Sequence, residues 1–114
     1  MNLQLIPSKL NKNTSITITG SKSETNRLLL LQSLFPEIAL KNTSNSDDSE
    51  VMFKALSQIL EPTTHHPQPT TIDVHHAGTA MRFLTAYFAI QSNQEVVLTG
   101  SSRMKERPIK ILVE

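Results

Sequence analysis

Cysteine is absent from these 114 residues, so disulfides and thiolate chemistry are excluded. Net charge is almost absent too. Eleven Lys and Arg against ten Asp and Glu leave a formal +1, which argues against the basic stripe of a general nucleic-acid binder. Long apolar runs are missing as well, since no window approaches the roughly 18 apolar residues of a membrane span. Met1 to Asn13 offers neither a basic start nor a long apolar stretch, so no secretory leader is read. These absences lead to an expected cytoplasmic location with no membrane or nucleic-acid partner. With 38% hydrophobic residues the chain can form one small domain with a modest core.

Hydrophobic periodicity divides the chain into short elements. Asn2 to Ile6 and Ser15 to Thr19 alternate and read as strands. Ser21-x-x-Glu24 has the form of a capping box ahead of Leu28 to Leu31, predicting a helix to about Phe35, where Pro36 stops it. Glu37 to Lys41 reads as a short strand. The acidic turn Asp47, Asp48 and Glu50 suits a helix start, with Val51, Phe53, Leu56, Ile59 and Leu60 at helical spacing up to Pro62. Glu61 to Thr71, with three prolines and two histidines, reads as an exposed loop. A strand over Thr71 to His75, a helix over Thr79 to Ile90 and a strand over Glu95 to Leu98 follow. That helix is apolar on most sides and is expected to be buried on most sides. Pro108 is placed as the first residue of a last helix through Ile109 to Val113. That helix lacks a stop signal at Glu114, which reads as truncation. The alternation of elements argues an α/β fold.

The positive charge is local rather than general, and it falls in turns between a strand and a helix. The first turn, Gly20-Ser21-Lys22-Ser23-Glu24-Thr25-Asn26-Arg27, puts Ser23 and Arg27 four residues apart on one helix face. Lys22 and Arg27 add formal charge where backbone N–H groups already favour anions. A Walker-type phosphate loop does not fit, because Ser21 stands where glycine must precede the lysine. The second turn, His76-Ala77-Gly78-Thr79-Ala80-Met81-Arg82, has a glycine that lets backbone approach a ligand. Arg82, in a mostly apolar helix, calls for an anionic partner from protein or ligand. The third, Thr99-Gly100-Ser101-Ser102-Arg103-Met104-Lys105-Glu106-Arg107-Pro108, sets Arg107 at a helix entrance suited to bidentate anion binding. Brought to one edge, the three turns would form a cationic cleft for a small, multiply anionic substrate.

The remaining polar groups carry less. His65, His66, His75 and His76 form two adjacent pairs without the spacing or partners of a zinc site, so no metal is expected. Asp47 and Asp48 fit a helix macrodipole better than a catalytic dyad. No cofactor is implied.

The three motifs, in this order and spacing, resemble the N-terminal part of the 5-enolpyruvylshikimate-3-phosphate synthase family (3-phosphoshikimate 1-carboxyvinyltransferases). The resemblance implies transfer of the enolpyruvyl group of phosphoenolpyruvate to the 5-hydroxyl of shikimate-3-phosphate, releasing phosphate on the route to aromatic amino acids. It implies that Lys22 touches both substrates, that Ser23 and Arg27 hold shikimate-3-phosphate, that Gly78 and Arg107 bind phosphoenolpyruvate, and that Arg82 supports that pocket. It also implies an inside-out α/β barrel of βαβαββ-type units. In that fold residues 1–19 belong to a far lobe, a hinge lies near Gly20, and residues 20–114 form part of the first lobe. The proton-transfer residues are then expected beyond Glu114, leaving this chain half a site and inactive alone. The whole enzyme is expected to be a monomer, while exposed strand edges leave self-association open to the piece.

Two positions depart from the family's pattern: His76 stands where asparagine is usual, and Phe83 where proline is usual. Phe83 is expected to alter affinity for inhibitors that mimic phosphoenolpyruvate, such as glyphosate. Two alternatives remain. A UDP-N-acetylglucosamine enolpyruvyl transferase is disfavoured by Ser23-x-x-x-Arg27, and a non-catalytic module for phosphorylated metabolites is disfavoured by the abrupt C-terminus.

Overall fold

A computed structural model describes residues 1–9, 11–60 and 69–114. Helix α1 spans Lys22–Leu34, α2 Asp47–Leu60 and α3 Gly78–Ala89, with strands β1 (Thr70–Asp73) and β2 (Val96–Thr99) flanking α3. Two single turns of helix, α4 (Ser102–Lys105) and α5 (Lys110–Val113), follow β2. The mixture of helices and a small parallel sheet is the expected α/β class in miniature, with one complete βαβ unit from β1 through α3 to β2. Among the described residues no helix is long and apolar enough to cross a membrane.

The helix starts follow the sequence closely. Ser21 caps α1, its hydroxyl accepting from the Glu24 N–H at 3.5 Å and its carbonyl from Thr25 at 2.9 Å. Asp47, Asp48 and Glu50 occupy the first turn of α2, where the dipole favours them. Ser46 accepts the Ser49 and Glu50 N–H groups through its carbonyl.

The core lies where α1, α2 and α3 meet the sheet. Met52, Val74, Ala80 and Leu84 are fully enclosed, joined by Leu29, Ala55, Leu56, Ile72, Tyr87 and Met104. The inward face of α2 is therefore Met52, Ala55 and Leu56, whereas Phe53 points outward, 58% exposed. Helical spacing alone fits either stripe, and the packing partner chooses. On α3, Ala80, Leu84 and Tyr87 are buried, but Ala86, Ala89, Ile90 and Arg82 face solvent. The expectation of burial on most sides is corrected: one face is sealed and the others are half-covered or open.

Three expected strands do not form. Asn2 to Ile6, Ser15 to Thr19 and Glu37 to Lys41 take no regular structure. A strand exists only through its ladder, and among the described residues β1 and β2 pair with each other alone. Leu3, Leu5, Ile6, Ile16 and Ile18 are consequently exposed. Around 37–41 local bonds replace a ladder, the Ile38 carbonyl accepting from Gln32 Nε2 at 2.7 Å. β1 begins at Thr70, inside the stretch read as a loop, and residues 61–68 of that stretch lie outside the described residues. The last helix begins at Lys110 with Ile109 as its cap, so Pro108 precedes it rather than opening it.

The glycines serve space rather than dihedral freedom. None of the three has a positive φ; left-handed backbone falls instead on Asn13, Asn42, His75 and Asn93. A Cβ on Gly20 would collide with the backbone carbonyl oxygen of Asn42. Backbone cannot swing aside as a side-chain tip can, so Gly20→Ala is expected to destabilise the fold by about 1–3 kcal/mol. A urea-unfolding midpoint equal to that of the native chain would disprove this close approach.

Candidate functional site at the strand ends

Parallel pairing sends the segments after β1 and β2 out of the same sheet edge. Thr70 sits opposite Val96, Ile72 opposite Leu98 and Asp73 opposite Thr99. Past the ladder, Val74 N–H donates to the Thr99 carbonyl at 2.9 Å and Ser101 N–H to the His75 carbonyl at 2.8 Å. His75 holds φ 49, supported by its N–H donating to Asp73 Oδ1 at 2.8 Å. The second and third cationic turns are thereby stapled side by side at the carboxyl ends of the strands, the usual position for ligand sites in α/β sheets.

Their meeting point is Gly78. It is the first residue of α3, whose cap Ala77 offers no side-chain acceptor to the free N–H groups of the first turn. A Cβ here would run into the Arg107 guanidinium and come within 3.8 Å of Arg82 Nη1. Two guanidinium groups therefore converge over a helix N-terminus. Among the described residues neither pairs with a carboxylate. Arg82 itself is exposed and, among the described residues, donates only to the Gly78 carbonyl, at 3.4 Å. Burial therefore does not force a partner on Arg82, as the sequence suggested. The demand for an anion comes instead from the unneutralised convergence with Arg107. Gly78, Arg82, Arg107 and Lys105 line an open cleft of about 780 Å³ that runs along α3 and β2.

The first turn arrives by a different route, since among the described residues no strand precedes α1. Lys22 Nζ lies 3.9 Å from Asp48 Oδ1, and His76 Nε2 lies 3.6 Å from Asp47 Oδ2. Neighbouring acids at the head of α2 thus link the head of α1 to the turn entering α3. Ser23 is exposed, and its carbonyl accepts from Arg27 Nη1 at 2.7 Å. The Arg27 guanidinium carbon stands 5.8 Å from the centre of the Phe83 ring. Gly78, Arg82 and Arg107 thus share one cleft, while Lys22, Ser23 and Arg27 lie outside its lining, with Lys22 meeting α2 and Arg27 meeting α3 through separate contacts.

One contributor was not visible in the sequence. Asn26, between Thr25 and Arg27, is fully buried. Its Oδ1 accepts from the Ser49 hydroxyl at 2.8 Å, and Ser49 in turn meets Ser46 Oγ at 3.0 Å. Thr25 Oγ1 accepts from the Ser44 N–H at 2.9 Å. This polar seam fixes α1 against the head of α2, and so sets Lys22 beside Asp48. A polar residue in a cationic turn gives no sign of burial; its helical register with Leu29 and Leu30, three and four residues on, is the one available signal. Among the described residues no group of three or more His, Cys, Asp or Glu side chains is placed to hold a metal ion.

Residues 6–114 match the family model described as EPSP synthase (3-phosphoshikimate 1-carboxyvinyltransferase). The chain belongs to this family. Three similar relatives carry the name 3-phosphoshikimate 1-carboxyvinyltransferase. The Bacteroides fragilis (strain YCH46) protein is 42% identical over 100 residues, covering 87% of this chain and 22% of its own length. That of Nostoc sp. is 39% identical over 116 residues, covering 87% and 27%. That of Hamiltonella defensa is 36% identical over 120 residues, covering 90% and 28%. The chain spans about a quarter of the length of the curated relatives it matches. No solved structure matches it. Membership of the EPSP synthase family accords with the three motifs, whose turns hold the cations described above.

Proposed function

We propose that this chain supplies half of the site at which the enolpyruvyl group of phosphoenolpyruvate passes to the 5-hydroxyl of shikimate-3-phosphate. The carrying observation is the convergence of Arg82 and Arg107 on the side-chain-free Gly78 at the head of α3. Both substrates bear a phosphate and a carboxylate, so their encounter concentrates negative charge that a neutral cleft could not hold. Arg107 and the free N–H groups of α3 suit the phosphate or carboxylate of phosphoenolpyruvate, with Arg82 reinforcing the local potential. On α1, Arg27 and Ser23 hold shikimate-3-phosphate, and Lys22 reaches between the two substrates.

In the reaction the acceptor hydroxyl oxygen bonds to C2 of phosphoenolpyruvate as the C2–C3 double bond opens and C3 takes up a proton, giving a tetrahedral adduct. The C2–O bond to the phosphoryl group then breaks as C3 gives up a proton and the double bond re-forms, so that the hydroxyl proton is lost overall to the departing phosphate. Fixed cations stabilise the charge gathering on that leaving group without reorganising. In this reading the proton-transfer groups come from outside these 114 residues. Residues 1–19 pack into a second lobe of the inside-out barrel, and residues 20–114 belong to the first. Such packing would cover the apolar side chains that stand exposed from Leu3 to Ile18.

The test is phosphate release from phosphoenolpyruvate in the presence of shikimate-3-phosphate. The full reading frame that encodes these residues is assayed beside the 114-residue chain. Release by the long protein alone is the expected result. Release by neither would overturn the assignment, and release by the 114 residues alone would overturn the half-site.

A further inference from the structure

We infer that Phe83 is a positioning residue, holding the Arg27 guanidinium in the orientation that receives the anion. The inference rests on the reading above that Arg27 holds shikimate-3-phosphate. Arg27 is exposed, and among the described residues no carboxylate lies within ion-pair reach of it. Its polar anchor, the Ser23 carbonyl, belongs to its own helix, one turn back. A long side chain with that tether alone among the described residues keeps much of its rotamer freedom.

The contact that ties Arg27 to another element is the face of Phe83, 5.8 Å from guanidinium carbon to ring centre. Phe83 can serve as a fixed platform because it is half-buried and packs against the core cluster, unlike Arg27 itself. The negative face of the ring attracts the cation while leaving the donors of the guanidinium edge, apart from the N–H given to the Ser23 carbonyl, free for a phosphate. Phe83 also directly follows Arg82, which stands over Gly78. One residue of α3 thus couples the cation of α1 to the helix carrying the second anion-binding half. A proline at this position, as in the pattern the sequence resembles, would offer no π face.

Two variants test it, Phe83→Leu, which keeps an apolar filler without a ring, and Phe83→Tyr, which keeps the ring. In the 114-residue chain, NMR should show the Arg27 side-chain protons shifted by the ring current. That shift should vanish in Phe83→Leu and persist in Phe83→Tyr. In the full reading frame, Phe83→Leu should raise KM for shikimate-3-phosphate about two- to fivefold, the range an exposed cation–π contact converts to. Its kcat and its KM for phosphoenolpyruvate should hold, and Phe83→Tyr should restore the native value. Equal losses in both KM values and kcat, or an Arg27 shift indifferent to the ring, would overturn the inference. Were the native protein to turn over neither substrate, the functional reading would fall, and the Arg27 shift would still decide whether Phe83 positions the guanidinium.

Discussion

Gly78→Ala lowers affinity for phosphoenolpyruvate by tenfold or more and leaves the fold intact. The added Cβ meets the tip of a flexible side chain, the Arg107 guanidinium, rather than backbone. Arg107 can therefore retreat, and the helix tolerates or gains from the exchange, since alanine exceeds glycine in helix propensity by up to about 1 kcal/mol. Retreat removes the guanidinium from the point where it meets Arg82 and the free N–H groups of α3. A hydrogen bond to a charged group contributes about 1.5–3 kcal/mol, and tenfold in affinity is about 1.4 kcal/mol. Titration of the full reading frame with phosphoenolpyruvate checks the prediction, beside a thermal melt. Affinity for shikimate-3-phosphate, assigned to α1, should change little. Equal weakening for both ligands, or none for either, would show that Gly78 does not make room for an anion-binding guanidinium.

Asn26→Asp is the variant expected to damage stability most, and its damage depends on pH. In the native chain the buried Asn26 amide satisfies Ser49 through Oδ1, while among the described residues its Nδ2 finds no partner. An aspartate would keep the Ser49 bond on one oxygen and bring a carboxylate into a fully buried position. Desolvation then favours the neutral acid and raises the folded-state pKa above the unfolded value of about 3.9. Below that value both states are protonated, and ionisation costs nothing. As pH rises from about 4 the unfolded chain ionises first, so the penalty grows until the folded pKa is passed. A rise of two to three units corresponds to about 3–4 kcal/mol at neutral pH. Against a total stability of about 5–15 kcal/mol for a typical domain, that leaves little margin. Urea unfolding of both proteins at pH 4 and pH 7 measures it. A stability difference that does not widen between the two values would refute the burial of the Asn26 side chain.

The helices were legible because their signals are local. Ser21 and Glu24 mark the start of α1, and Pro36 limits its end at the Phe35 cap. The acidic run marks the head of α2, and Gly78 opens α3 one residue before the expected start. Strand signals are weaker guides, because an alternating segment becomes a strand only beside a partner. Thr70–Asp73 and Val96–Thr99 found each other, while Asn2 to Ile6, Ser15 to Thr19 and Glu37 to Lys41 did not. The site shows the same division. That Gly78, Arg82 and Arg107 belong to cationic turns could be read directly. That Arg82 is exposed, that Met52 rather than Phe53 faces inward, and that Asn26 is sealed beneath the first turn could not.

Sequence alone thus determined where helices begin, which turns concentrate cations, and which family those turns resemble. Each of these depends on residues within a few positions of one another. Tertiary structure alone decided which cations meet. The parallel register of β1 and β2 carries Gly78 and Arg107 to one edge, and the Asn26–Ser49 seam holds Lys22 near the head of α2. Those meetings join residues far apart in the chain, and their geometry is set by packing that no local pattern encodes.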